Sequence, residues 1–392
     1  MLGGHPLASA PLADLGIVLG LASGALATVT VSAQAGSATG TASASGTLGT
    51  VSVSGLTGSA TGTASRSATL PTISTTAAAG AATGSAARSG TLGTVTIASQ
   101  AGSATGTASG SGLLGTVSVS GLTGTVTASA NRSGTLPTVV LSAPAGSGSG
   151  NASTSATIGT VTVSAASGSA TVSVTGLGTL STINITSQAG TATGTASKSG
   201  TLPTVSVSGL AGAATGSATT SVVLATVNTI SQAGAASGSA SSSGLLGTVS
   251  VSALAGSAIG SALTNKPLAT VQITAPAAIG SGSATTSGLF GSVSLVSQNG
   301  AASGGATAAS GFAAIAIVGI EATVTVTNFI RASVVVSDRL VGACTVSDAL
   351  VRGTCTVSSR VLYTCLVGDE PVGDVQIAAA LRYDATVFAG VL

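Results

Sequence analysis

The chain has 392 residues, of which 5% are charged and 2% aromatic, with a formal net charge of +2. An average soluble domain carries about 25% charged residues, so this composition argues against the two or three globular domains that length alone suggests. It also excludes charge-driven disorder, which requires high net charge and low hydrophobicity. There are 57 glycines, no tryptophan and one histidine, so large side chains for a thick core are scarce. Stability must then come from backbone hydrogen bonds, close backbone packing and neighbouring chains.

Residues 1–24 include the string HPLASAPLADLG and differ in texture from the rest of the chain, so they are read as an apolar N-terminal docking arm rather than a frayed end. An apolar run at 15–29 ends in Ala25-Leu26-Ala27. It lacks a preceding Lys or Arg, has Asp14 at its edge, and is shorter than the roughly 20 residues of a membrane helix. It is therefore read neither as a secretion signal nor as a membrane span.

From Ala25 the chain repeats every 22 residues. Residues 47–68 read TLGTVSVSGLTGSATGTASRSA, 91–112 read TLGTVTIASQAGSATGTASGSG, and 201–222 read TLPTVSVSGLAGAATGSATTSV. Thirteen such units fill 25–310 without insertion or deletion. Loops in globular domains vary freely in length because lengthening them costs little. A fixed period therefore implies that each unit stacks on the last in one register.

Each unit divides into two halves of 11. Thr50-Val51-Ser52-Val53-Ser54 in one half is matched by Thr61-Gly62-Thr63-Ala64-Ser65 in the other. Both alternate with the period of a strand. Val172 and Val174 replace Gly and Ala in the second half of 157–178, which marks the halves as versions of one strand. An 11-residue period can also describe a supercoiled helix, but Val, Thr, Ser and Gly are poor helix formers. Pro71, Pro137 and Pro203 each follow a leucine at one repeat position, which marks a turn or strand start.

The predicted fold is all-β: an elongated repetitive β-solenoid or fibre shaft built from 11-residue strand-turn half-repeats. If each unit is one rung, thirteen rungs rise roughly 60 Å; an antiparallel meander of half-units would be about twice as long. Both arrangements fit the sequence.

Residues 25–310 contain no Asp or Glu, and their basic residues are Arg66, Arg88, Arg132, Lys198 and Lys266. The first four share one repeat position and should line one edge. With no interleaved aromatics for base stacking, this column is read as solubilising charge at a turn rather than a polyanion site, and no specific nucleic-acid binding is expected.

From Gly311 charges return, and Val324, Val335, Val346 and Val357 recur every 11 residues. Residues 311–365 are read as a bulkier continuation of the β stack, and 366–392 as a C-terminal cap that ends the ladder. Cys344, Cys355 and Cys365 fit neither a disulfide scaffold nor a four-thiolate zinc site. The half-repeat spacing of Cys344 and Cys355 suggests a buried thiol pair. No catalytic, cofactor-binding or metal-binding residue is assigned. The single histidine, His5, lies in the arm, and Asp369 and Glu370 read as a solvated turn. No Gly-x-Gly string carries the Lys-Ser/Thr of a phosphate loop. The chain is read as a non-enzyme without cofactors.

Units such as LGTVSVSGLTGSATGTAS resemble the 22-residue Gly/Thr/Val/Ser/Ala repeats of structural proteins in the virions of tailed bacteriophages, over residues 25–310. The resemblance implies a tail fibre, an appendage or a capsid decoration protein located in the virion. Its implied partners are copies of itself, other virion proteins through the arm or cap, and a host-surface receptor. A bacterial surface adhesin or extracellular filament subunit is the first alternative. An ice-binding β-solenoid is the second, suggested by Thr-Gly-Thr at 39–41, 61–63, 105–107 and 193–195 and interrupted where serine replaces threonine.

Each unit offers about three large aliphatics, such as Leu48, Val51 and Val53, beside small residues such as Ala60, Gly62 and Ala64. Set against a backbone ordering cost of roughly 1–2 kcal/mol per residue, this predicts an obligate homotrimer, with the small residues admitting another chain. The rival is a single-chain solenoid whose Ala/Gly strands pack on its own valines. Far-ultraviolet circular dichroism is expected to show strand; helical minima would reject the fold class.

Overall fold

The computed structural model describes residues 15–22, 26–44, 48–66, 70–88, 92–111, 114–155, 157–277, 279–286, 290–297, 301–308, 312–327, 331–347, 354–367, 374–382 and 385–387. These contain strands and turns and no helix. The chain divides into two compact units, Met1–Lys198 and Ser199–Leu392.

In the first unit every ladder is parallel and joins residue i to residue i+22. The strand Leu26–Ala35 pairs with Leu48–Thr57, which pairs with Leu70–Ala79, which pairs with Leu92–Ala101. The second halves do the same: Ser37–Ala44 pairs with Ala60–Arg66, then Ala82–Arg88, then Ala104–Gly110. Each 22-residue unit is therefore one rung of a parallel β-solenoid with two strands, and the antiparallel meander is ruled out. The second unit is built alike, from Thr201–Gly209, Val223–Ser231 and Leu245–Ala253 on one face and Ala214–Thr220, Ala236–Ser242 and Ala258–Thr264 on the other.

Alternation along each strand sorts the side chains. Val51 and Val53 are buried, whereas Ser52 is half-exposed and Ser54 exposed. Ala60 and Ala64 of the second strand are also fully buried. Gly62 and its repeats lie opposite the aliphatic column: a Cβ on Gly84 would stand 2.6 Å from Ile97 Cδ1, and one on Gly40 2.7 Å from Val53 Cγ2. The glycines thus leave the space that the opposing Val and Ile side chains fill. The small face is used up inside the same chain, as in the single-chain rival, so the premise of the obligate trimer does not hold.

The corners explain two further sequence features. The prolines occupy a position that drops out of the ladder: Leu70 pairs with Leu92 and Thr72 with Thr94, but Pro71 has no partner in the register. The same gap falls at Pro203, between Leu202 paired with Leu224 and Thr204 paired with Thr226. A proline there forfeits no hydrogen bond. At the opposite corner Gly58 has φ +113, and a Cβ on it would run into the carbonyl of Gly36 one rung below. Backbone bonds pass through this turn as well, from Gly58 N to Ala79 O and from Ala60 N to Ala81 O, both 2.8 Å.

Three boundaries read from the sequence shift. Leu15–Ala22, placed in the docking arm, pairs in register with Ser37–Ala44 and belongs to the stack. Residues 1–14 lie outside the described residues. Beyond Phe312 the 22-residue step is lost: Phe312 pairs with Arg331, a step of 19, Cys344 with Cys365, a step of 21, and Thr354 with Asp374, a step of 20. The 11-residue spacing of Val324, Val335, Val346 and Val357 is therefore not the register of these rungs; Val324 pairs with Cys344 and Val346 with Val367. A β-bulge between Ala322 and Thr323 absorbs one residue of the change. Asp374–Arg382 and Ala385–Val387, assigned to the cap, continue this ladder.

Two rungs carry threonine where the others place Val, Ile or Leu. Thr75 and Thr229 are fully buried, and their hydroxyls have no hydrogen-bond partner. Burying an unpaired hydroxyl costs about 1–3 kcal/mol. Thr75→Val and Thr229→Val are each expected to stabilise the fold by about 1 kcal/mol, whereas Gly84→Val is expected to cost about 1–3 kcal/mol by overpacking. Urea denaturation midpoints of the three variants check both directions.

Candidate functional surfaces

The outward residues are mostly hydroxyl-bearing, and the register aligns them in columns. On the first-half face of the first unit Thr28, Thr50, Thr72, Thr94, Thr116, Thr138, Thr160 and Thr182 are successive ladder partners. On the second-half face the columns Thr39, Thr61, Thr83, Thr105, Thr127 and Thr41, Thr63, Ser85, Thr107, Ser129 run side by side. Hydroxyls one rung apart bond to each other, as in Ser54 to Ser32 at 3.2 Å, Thr191 to Ser169 at 2.9 Å and Ser239 to Ser217 at 3.2 Å.

A second set of hydroxyls is turned inward at the corners. Ser99 Oγ and Ser187 Oγ donate to Gly80 O and Gly168 O, each at 2.8 Å, and Ser231 Oγ donates to Gly212 O at 2.7 Å. At the opposite corner Thr264 Oγ1 donates to Gly244 O and Thr286 Oγ1 to Lys266 O, both at 2.8 Å. Several of these oxygens also accept a turn N–H: Gly190 N to Ser187, Gly234 N to Ser231, and Lys266 N to Thr264. Each such hydroxyl satisfies two backbone groups that the bend takes out of the ladder.

The basic column sits at this second corner. Arg66 pairs with Arg88, Arg132 with Gly110, and Lys198 with Gly176, so the four share one column as expected. The arginine side chains lie outside the described part of the structure. Lys198 is not the solubilising turn charge the sequence suggests. It is 4% exposed, and its Nζ donates to Leu177 O at 3.4 Å in the place where other rungs put a Thr or Ser hydroxyl. Desolvation by burial holds its pKa below the usual 10.5. Lys266, in contrast, is exposed.

The other candidates do not converge. Cys344 is the register partner of Cys365, and Cys355 pairs with Val334 in the other half of the rung. His5, Asp369 and Glu370 lie outside the described residues. Among the described residues no three His, Cys, Asp or Glu side chains gather as metal ligands, and no helix is long and apolar enough to cross a membrane. A groove of about 170 Å³ on the first unit is lined by Ser142, Ser164, Thr186, Pro144, Ala166 and Gln188. It is smaller than the roughly 300 Å³ at which small-molecule pockets begin.

Among the described residues, exposed aliphatics form no continuous strip on the first unit. Leu56 and Leu122 project from one corner column, but Ala78 and Gln100 stand between them. In the second unit Gln232 likewise separates Leu210 from Leu254. Isolated surface leucines of this kind carry no docking argument.

Lys198 yields a pH dependence. Its folded pKa is depressed, so between that value and 10.5 the unfolded chain binds more protons than the folded chain. Stability contributed by this site therefore rises with pH across that window. Lys198→Thr is expected to remove this rise and to add roughly 0.5–1.5 kcal/mol at neutral pH by restoring the corner hydroxyl. Denaturation midpoints of both proteins at neutral and alkaline pH check it. The chain matches no known family model, no curated protein and no solved structure.

Proposed function

We propose that this chain is a structural protein of a bacteriophage virion, a tail fibre, appendage or capsid decoration subunit, rather than an enzyme. The observation that carries the structural reading is the 22-residue register within each unit, in which rung after rung repeats the same backbone bonds and the same neutral outer columns. A stack of this kind supplies a stiff, chemically uniform element that holds other parts at a distance. The virion setting rests on the resemblance of the 25–310 repeats to those of phage structural proteins. Stiffness here does not depend on a partner chain, because the small-residue face is buried within each rung. Attachment to other virion proteins is assigned to the chain termini and contact with a host surface to the outer faces.

The test is composition of purified particles. Phage particles banded on a density gradient from the host that expresses this chain are expected to contain it by mass spectrometry, and antibodies against residues 25–310 are expected to label an appendage or the capsid surface in electron micrographs. Recovery of the chain in the cell-envelope fraction, with none in the particles, would overturn the virion reading in favour of a surface adhesin or filament.

A further inference from the structure

We infer that the second-half face of the first unit is an ice-binding plane, whose occupant is the ordered water of a growing ice surface. The inference stands apart from the virion setting and rests on lattice geometry. Over five consecutive rungs the outward residues are Thr39 and Thr41, Thr61 and Thr63, Thr83 and Ser85, Thr105 and Thr107, and Thr127 and Ser129. Parallel pairing sets the columns' step along the stack at about 4.8 Å, and two residues of extended strand separate the columns by about 6.6 Å. This rectangular repeat is close to that of the oxygens on a prism face of hexagonal ice. Each threonine adds a methyl group beside its hydroxyl, which keeps a mobile hydration shell from forming.

One feature distinguishes this face from its opposite, the continuity of its ladder. Its ladder has no gap: Ala60 through Arg66 pair residue by residue with Ala82 through Arg88. The first-half ladder drops a residue immediately before its threonine column, at 49, 71 and 93. Between the two columns the inward positions are Gly40, Gly62, Gly84, Gly106 and Ala128, and the Val, Ile and Thr side chains of the opposing strands pack directly against the glycines. One of the ten outward hydroxyls is tethered, Thr107 Oγ1 donating to Gly84 O at 3.4 Å, and in the flanking column Ser103 and Thr125 bond at 3.0 Å. A tethered hydroxyl keeps its lone pairs aimed outward and loses little freedom on meeting a rigid lattice. Residues 25–310 contain no carboxylate to impose a competing hydration pattern.

The experiment uses the full chain in three forms. Wild type is expected to facet ice crystals, to show thermal hysteresis and to partition into a slowly growing ice hemisphere. The double variant Thr61→Lys/Thr105→Lys is expected to lose most of the hysteresis while circular dichroism remains that of the parent. The control Thr50→Lys/Thr94→Lys, on the opposite face, is expected to retain it. Exclusion of folded wild type from the hemisphere would overturn ice binding whatever the variants do. Equal loss in both variants, or loss in the control alone, would overturn the assignment to this face.

Discussion

The structure depends on one constraint, the parallel hydrogen-bond ladder that joins residue i to i+22. A side chain in this fold has little to contribute: the interior is Val, Ala and Gly, and each apolar side chain buries modest area. The backbone does most of the organising. The ladder N–H and C=O groups find their partners on the rungs above and below, so the backbone is satisfied within the stack. Once the ladder is in register, all positions of the 22-residue unit are fixed in space, and each becomes a column with a uniform environment. The column at Gly40, Gly62 and Gly84 must be small because it faces the column at Val53 and Ile97. Gly58, Gly80 and Gly102 must be glycine because each sits at positive φ against the carbonyl of the rung below. An insertion within a strand would shift the residues after it in that strand to the wrong column, and the period carries none from 25 to 310.

The corners show how a thin solenoid turns without leaving polar groups stranded. A ladder broken at a bend leaves carbonyls and amides that solvent does not reach. The chain meets this with buried Ser and Thr, whose single oxygen donates to one rung and accepts from the next turn. Lys198 is the exception that measures the rule, since its ammonium reaches a carbonyl from the same column but brings a charge into a site shaped for a hydroxyl. The unpaired hydroxyls of Thr75 and Thr229 are the converse case, a polar group in a column that offers only Val, Ile and Gly.

Much of this is legible in the sequence, and the parts that are not share a cause. Period two within each half places Val51 and Val53 inside, and period 22 without indels implies a stack in register. Chain direction between neighbouring strands stays open because an 11-residue half-repeat serves a meander as well as a solenoid. The difference between the halves decides it only once the register is known: Val-rich and Gly/Ala-rich strands face each other across the core rather than pairing side by side. Beyond Phe312 the valine spacing keeps a period that the backbone abandons, because steps of 19 to 21 with a bulge break the link between sequence spacing and register. Lys198 reads as exposed because charge usually marks solvent. Its repeat position, filled by Thr or Ser in the later units, is the signal that the column points inward.

The burial of Ala60, Gly62 and Ala64 changes what the outer surface has to do. If the small-residue face had been open, its natural occupant would have been another chain, and the polar columns would have been mere solvent contact. With that face closed by the chain's own valines, the flat surfaces left to the solenoid are its hydroxyl columns. A sheet is locally interrupted wherever its ladder skips a residue. Here the first-half face carries such a break at every rung, where the ladder skips a residue, and its corner carries the exposed leucines singly. The second-half face carries none across the five rungs from Thr39 to Ser129. That regularity is what the proposed ice-binding role makes use of, since a crystalline lattice of water is itself regular, uncharged and hydrogen-bonded.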